Sequence, residues 1–410
     1  MNRTAVVLTT ITVAAAVLAG TVFSIAAGSS PPRGDAPAVT AARPSPAAPP
    51  PADFQLSREL AAVTSAWPTD WARRTIDLDE LRIGINATDP RDLIQPLDQP
   101  TYESVESASG WLIDREIGVS LELNGVARFY PLRILTTHEV VNDELDGLPF
   151  AVTYCPLCNT AVAFDRRVDG QVLRFGVSGL LRKSDLVMWD DQTVSLWQQI
   201  TGEGIVGALA GNQLETLPTA TVRWGDFKAN HPDGEALSQD TGFGFNYGSN
   251  AYVGYSDRAA PIGRFFDGPL DDRFPALDRV VGVRVGDVTK AYPFAVIDEK
   301  RAVNDELAEV PIAVWWAPTD SANNFDGAEV GGGESIGTGI AFFREVGDQL
   351  LTFEPFGDDT FIDNQTGSTW SIFGEALDGP LAGTQLELAF HQNEFWFAWS
   401  AFNPDSPVYE

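Results

Sequence analysis

The sequence predicts a mainly β protein with short helices (α+β only in a minor sense), built as two tandem β-rich repeats related by internal duplication about a pseudo-two-fold axis. Three observations predict it. First, YPLRILTTHEVVNDELDGLPFAVTYCPLCNTAVAFD (Tyr130–Asp165) and YPFAVIDEKRAVNDELAEVPIAVWWAPTDSANNFD (Tyr292–Asp326) share Tyr-Pro, Val-Asn-Asp-Glu-Leu, a Pro ahead of an apolar run, and Phe-Asp. Second, QTVSLWQQITGEGIVGALAGNQLE (Gln192–Glu215) matches QTGSTWSIFGEALDGPLAGTQLE (Gln365–Glu387), again in the same order. Third, Asn124-Gly125 and Asp169-Gly170 interrupt strand-like alternation, and such dipeptides are strong hairpin signals.

Along the chain, residues 1–28 carry Arg3 and then no charge from Thr4 until Arg33. That is the pattern of an export signal, and the uncharged run is also long enough for a single membrane anchor. A cleaved signal and a retained anchor fit it equally, and both put the globular part outside the cytoplasm: cell surface, periplasm or secreted. Residues 29–60 read as a linker, with eight prolines between 29 and 51. An N-terminal extension follows at 61–116, then repeat A at 117–233, a connector at 234–281 and repeat B at 282–410. Within repeat A, Val119–Leu123 and Ala127–Tyr130 form one expected hairpin, and Thr160–Asp165 with Val172–Val177 a second. Phe150–Tyr154 is a short apolar strand. Short helices are expected near Leu132–Thr137, after Pro131, and near Thr221–Asn230.

Charge limits the partners. The 27 basic and 57 acidic residues leave a net charge of −30, the wrong sign for neutralising nucleic-acid phosphates or docking on anionic lipid. Membrane contact is therefore expected only through the N-terminal segment. No nucleotide cofactor is implied, and a redox or metal-transfer partner stays unidentified.

Soft ligands are scarce: two Cys (Cys155, Cys158), three His (His138, His231, His391) and one Met beyond the initiator (Met188). Aligning the repeats sets His138 against Lys300, Cys155 against Ala317, Cys158 against Asp320 and Met188 against Phe361. His391, in repeat B, stands where repeat A has Thr219. A pseudo-two-fold axis would let one site draw His138, Cys155 and Cys158 from repeat A and His391 from repeat B. Cys-Pro-Leu-Cys is followed by β-branched and apolar residues, a strand–knuckle–strand pattern that suits a metal better than a redox helix. Two thiolates and two imidazoles satisfy one copper or zinc ion, and a thioether from Met188 as weak axial ligand tips the preference to copper. Glu139 is placed to orient His138, while Arg182 and Asp185 form either an ion pair or an anion clamp beside the site. His231, in Asn-His-Pro-Asp, reads as a turn residue.

YCPLCNTAVAFDR (Tyr154–Arg166), HEVVND (His138–Asp143), SGLLRKSDLVMWDDQT (Ser178–Thr193) and HQNEFWFAWSAFNPD (His391–Asp405) together resemble the exported family catalogued as domain of unknown function three-one-seven-nine. The resemblance runs from about Arg74 to the C-terminus. Its motifs fall on His138, Cys155, Cys158, Arg182, Asp185, Met188 and His391, and it implies no activity. The loop from Ala317 to Asn324 departs from the family pattern.

Competing motifs are weaker. Gly333-Glu-Ser-Ile-Gly337 fits G-x-S-x-G, but a flexible loop precedes it where a hydrolase needs a strand. Asp358, Asp359 and Asp363 match no calcium-loop spacing and read as a solvated acidic turn. The leading expectation is an extracytoplasmic protein with one copper (or zinc) ion held between the repeats, serving electron transfer or metal handling. The alternatives are a thiol–disulfide oxidoreductase using the Cys-Pro-Leu-Cys pair, and a non-catalytic surface module.

Overall fold

The computed structural model describes residues 55–410. The export segment at 1–28 and most of the linker at 29–60 lie outside the described residues. Among the described residues no helix is long and apolar enough to cross a membrane. These residues are mainly β, with several small sheets and helices of at most seven residues.

Ile117–Leu123 (β1) and Val126–Pro131 (β2) pair antiparallel across Asn124-Gly125. Both turn residues take positive φ, 54° and 79°, as a two-residue hairpin twisted like its strands requires. After Pro131 comes a helix of two turns, Leu132–His138 (α1), which ends where Glu139 enters the left-handed region at φ 59°. Val140–Leu145 (β3), Leu148–Cys155 (β4) and Thr160–Asp165 (β5) then form a meander in which Cys155 lies opposite Thr160. A second meander follows: Phe175–Arg182 (β6), Asp185–Asp190 (β7) and Leu196–Gln198 (β8), with Leu81–Ile83 of the N-terminal extension on the free edge of β6. Thr219–Arg223 (β9) returns to pair with β1 and leads into the helix Trp224–Asn230 (α2).

From Arg279 the same element order runs again. Arg279–Val285 (β10), Val288–Pro293 (β11), Phe294–Lys300 (α3), Ala302–Leu307 (β12), Val310–Ala317 (β13) and Thr338–Phe343 (β14) are followed by a sheet containing Thr360–Asp363 (β15). His391–Phe395 (β16) pairs with β10, as β9 does with β1, and runs into the helix Trp396–Phe402 (α4). Between Leu237 and Arg279 the chain has neither strand nor helix.

The second expected hairpin is corrected. Around Asp169-Gly170 only Arg167–Val168 and Gln171–Val172 pair; β5 pairs instead with β4, and β6 with β7. The turn signal was real, but buried β5 and β6 gain more by joining separate meanders.

Asp363 is also not a solvated turn residue, since it is 1% exposed. Its Oδ2 accepts from Trp370 Nε1 at 3.0 Å, and its carboxylate also takes the Thr366 hydroxyl. Asp190 does the same work in the first half, accepting from Trp197 Nε1 at 2.9 Å and from Thr193. Both indoles are fully buried, so these carboxylates satisfy N–H groups that water cannot reach. Asp190→Ala and Asp363→Ala should each cost about 2–4 kcal/mol, by equilibrium chemical denaturation, because each orphans a buried indole N–H and a turn.

Candidate metal centre

The two cysteines occupy the turn of one hairpin. β4 ends at Cys155, Pro156–Asn159 turns, and β5 starts at Thr160; Asn159 closes the turn at φ 56°. Both thiols are free and buried, at 2% and 0% exposure. The knuckle is thus as its pattern predicts, with no helix opening at Cys155. Burial pushes the Cys155 thiol up, with Asp185 and Glu139 adding to it against a hydrogen bond from Cys158. Burial, together with Cys155, Asp185 and Glu394, carries Cys158 well above its ordinary value. A redox dithiol of the thioredoxin kind needs the opposite, an exposed sulfur with a depressed pKa.

Asp185 completes the group. Its carboxylate and the two sulfurs offer ligand atoms all within 4.8 Å of one another. The position comes from the β6–β7 hairpin, where Lys183 and Ser184 both take positive φ, 51° and 69°, without glycine. That tight turn starts β7 against the knuckle, with the Ser184 carbonyl 3.8 Å from the Cys155 sulfur. Asp185 Oδ2 accepts from Gln198 Nε2 at 2.6 Å and from the Ile200 amide at 3.0 Å. Its Oδ1 is buried with no partner. Burial raises the Asp185 carboxyl to about 6, against these hydrogen bonds.

Arg182 does not pair with Asp185. It binds Glu80 at 2.7 Å and donates to Gln198 Oε1 at 3.3 Å. Holding that carbonyl turns the Gln198 amide toward Asp185, so Arg182 acts as a positioning residue.

Two further carboxyls feel this group. Glu139, in the left-handed residue after α1, is held by its own backbone: its amide donates to Leu135 and its carbonyl accepts from Tyr154 at 2.8 Å. Burial and then the Asp185 charge lift it to about 8. Glu394 is fully buried on β16, both carboxyl oxygens lack partners, and burial followed by Asp185 drives it well above the ordinary range. The Phe395 amide donates to the Cys158 carbonyl at 3.0 Å, which ties β16 to the knuckle. Among the described residues no ion pair reaches Glu139, Asp185 or Glu394.

The imidazoles stand outside this group. His138 has both ring nitrogens engaged, Nδ1 at 2.5 Å from the Gln95 carbonyl and Nε2 at 2.7 Å from the Tyr247 hydroxyl, among the rings of Phe243, Phe245 and Tyr247. The adjacent Glu139, read from sequence as its orienting partner, is the residue coupled to Asp185 and Cys155. His391 and Glu394 are three apart on one strand, so they point to opposite faces. Gln392, on the face of Glu394, donates to the Ile200 carbonyl at 3.0 Å; Asn393, on the face of His391, donates to Gly339 in β14. Met188 is fully buried in the same apolar cluster as both cysteines. His231 packs tilted against Phe227 and edge-on against Phe373 beside α2. Glu394 was missed, and a signal existed: period-2 alternation from Gln392 marks it as facing inward with that glutamine.

His391 donates from Nδ1 to the Ala389 carbonyl at 2.8 Å, and burial lowers its pKa to about 4. A lowered folded pKa means the unfolded chain takes the proton first. Stability from the neutral imidazole is therefore complete above about pH 6.5 and drains away as pH falls toward 4, by about 3 kcal/mol in all. Glu139 and Asp185, with raised folded values, act in the opposite direction over this range, so the loss is read as the difference between the wild type and His391→Gln in denaturation curves from pH 7 to 4.

No curated protein and no solved structure matches the chain. One family does, over residues 91–406, a span that includes Glu139, Cys155, Cys158, Asp185 and Glu394. The chain belongs to the family described as protein of unknown function (DUF3179).

Proposed function

We propose that this protein binds one divalent metal ion through Cys155, Cys158 and Asp185, outside the cytoplasm, and that the ion is zinc. The observation that carries the reading is a buried set of thiols and carboxyls with no ion-pair partner among the described residues. Burying an acid without a partner costs several kcal/mol or forces it to stay protonated. A metal ion removes that cost by accepting both thiolates and the free Asp185 oxygen. Two sulfurs and an oxygen suit zinc, which binds Cys at about 2.3 Å and carboxylate at about 2.0–2.2 Å. The copper preference rested on imidazole and thioether ligands, and a carboxylate in the set weakens it. Glu394, both of whose oxygens are buried without a partner, is the carboxyl available for a fourth position.

Reading the two halves as copies of one unit supports this assignment. The two halves share their order of elements and the Asp–Trp turn bonds of Asp190 and Asp363. Asn142 and Asn304 each bridge to the backbone of a following phenylalanine, Phe175 and Phe353. At positions equivalent to Cys155, Gln199, Met188, Gln392 and Glu394 the other copy has Ala317, Ile372, Phe361, Ala220 and Val222, all in one buried apolar cluster. A fold that fills the places of Cys155 and Glu394 with hydrocarbon has no structural need of a thiol or an acid at those two positions, so these two serve chemistry, whereas Cys158 and Asp185 face the acids Asp320 and Asp358.

The export pattern at 1–28 supports a surface, periplasmic or secreted location. An exported metal site with two thiolates suits metal handling, exchanging its ion with a partner of like donor chemistry.

The full chain, exported and purified without chelators, should carry about one zinc ion per chain by mass spectrometry. Cys155→Ser and Asp185→Asn should each weaken zinc binding at least tenfold, and stripping the ion should lower the melting temperature. A metal-free chain whose melting ignores added zinc would overturn the proposal.

A further inference from the structure

Beside the thiol–carboxyl group lies a cavity of about 250 Å³. Counted at about 30 Å³ per molecule, that is the room of roughly eight waters. Three parts of the chain wall it: the N-terminal extension (Gly84, Ile94), the β6–β7 hairpin (Leu186) and the irregular segment before Arg279 (Ile262, Phe265). Leu157, between the two cysteines, and Leu186, next to Asp185, put the inner wall directly against the candidate ligands.

Two polar groups interrupt the hydrocarbon at that inner end. Glu139 is 7% exposed, lines the cavity, and its carboxyl has no hydrogen-bond or ion-pair partner among the described residues. The Tyr252 hydroxyl on the same lining likewise has none. A carboxyl on a residue so buried and without a protein partner has hydrogen-bonding capacity that a bound group would take up. At the rim stands Arg264, exposed and stacked on Phe265 with 4.4 Å from guanidinium to ring centre. The wall from the irregular segment fits the general use of long loops without secondary structure, which line binding sites.

We propose that this cavity binds a small, uncharged, mainly apolar molecule with a single oxygen function, an alcohol or carbonyl, that turns inward to Glu139 and Tyr252. The walls select hydrocarbon. Neutrality is selected from both ends: the guanidinium at the rim disfavours a cation, and the low polarity of the inner end penalises an anion buried there without a paired cation. Size limits the occupant to about ten non-hydrogen atoms. The inference rests on the zinc reading only for what the oxygen meets beyond Glu139.

The test uses the full chain loaded with zinc and three probes of one shape: benzyl alcohol, benzylamine and benzoate. Saturation-transfer NMR and calorimetric titration should show benzyl alcohol binding at least tenfold more tightly than either charged probe. Ile262→Trp, which fills the cavity from the irregular segment, should weaken benzyl alcohol at least tenfold. Ile94→Phe does the same from the opposite wall if the first variant fails to fold. Glu139→Leu should weaken it while leaving the apolar walls intact. Equal affinity for all three probes, or affinity indifferent to both filling variants, would overturn the proposal. Zinc content measured on the same samples separates the readings. Bound zinc with no probe binding sinks the cavity alone, and probe binding without zinc sinks the metal alone.

Discussion

The first half of this protein turns on acids that share a buried space with no ion-pair partner among the described residues. Cys155, Cys158 and Asp185 lie within one small volume, and Glu139 and Glu394 press their charges on it. Each is pushed toward its protonated form, chiefly by burial. Proteins bury carboxyls readily when an arginine answers them, as Glu116 is answered here by Arg133 at 2.6 Å. At the knuckle no arginine or lysine among the described residues answers. A cation supplied from outside resolves this, and the donor types present suit a metal better than any organic ion.

The architecture explains how five acids come from four separate elements. Tight turns with positive φ at Glu139, Asn159, Lys183 and Ser184 swing α1, β4 and β7 so that their ends converge. The remaining donor crosses from the second half. β16 belongs by pairing to the sheet of β10, yet its amide at Phe395 reaches the knuckle at Cys158. Glu394 therefore stands over the first half, and an asymmetric site arises from elements of like order. In the second half, Phe361, at the place of Met188, stacks on Trp315 at 4.2 Å between ring centres within the apolar core.

Much of the fold was legible. The hairpin at Asn124-Gly125, the helix after Pro131 and the knuckle at the cysteines follow from local turn chemistry and alternation, which a chain carries in its own residues. The pairing of β5 and β6 with separate meanders was not, because burial over the whole domain decides it. The site was legible in part. Rarity picked out the two cysteines, and Asp185 was seen as a charge near them. Rarity also favoured His138 and His391 over the commoner acids beside them, Glu139 and Glu394. A histidine looks like a ligand by type alone, whereas a glutamate declares itself only when its burial and missing partner are known. His138 spends both nitrogens on Gln95 and Tyr247, and strand alternation turns His391 away from the face of Glu394.

The most direct test of the metal centre is X-ray absorption at the zinc edge of the purified, zinc-loaded chain. Two sulfur neighbours at about 2.3 Å with one or two oxygens at about 2.0 Å, and one sulfur fewer in Cys155→Ser, is the result that Cys155, Cys158 and Asp185 predict. A shell of nitrogen and oxygen without sulfur would contradict it, and would place the metal elsewhere in the protein.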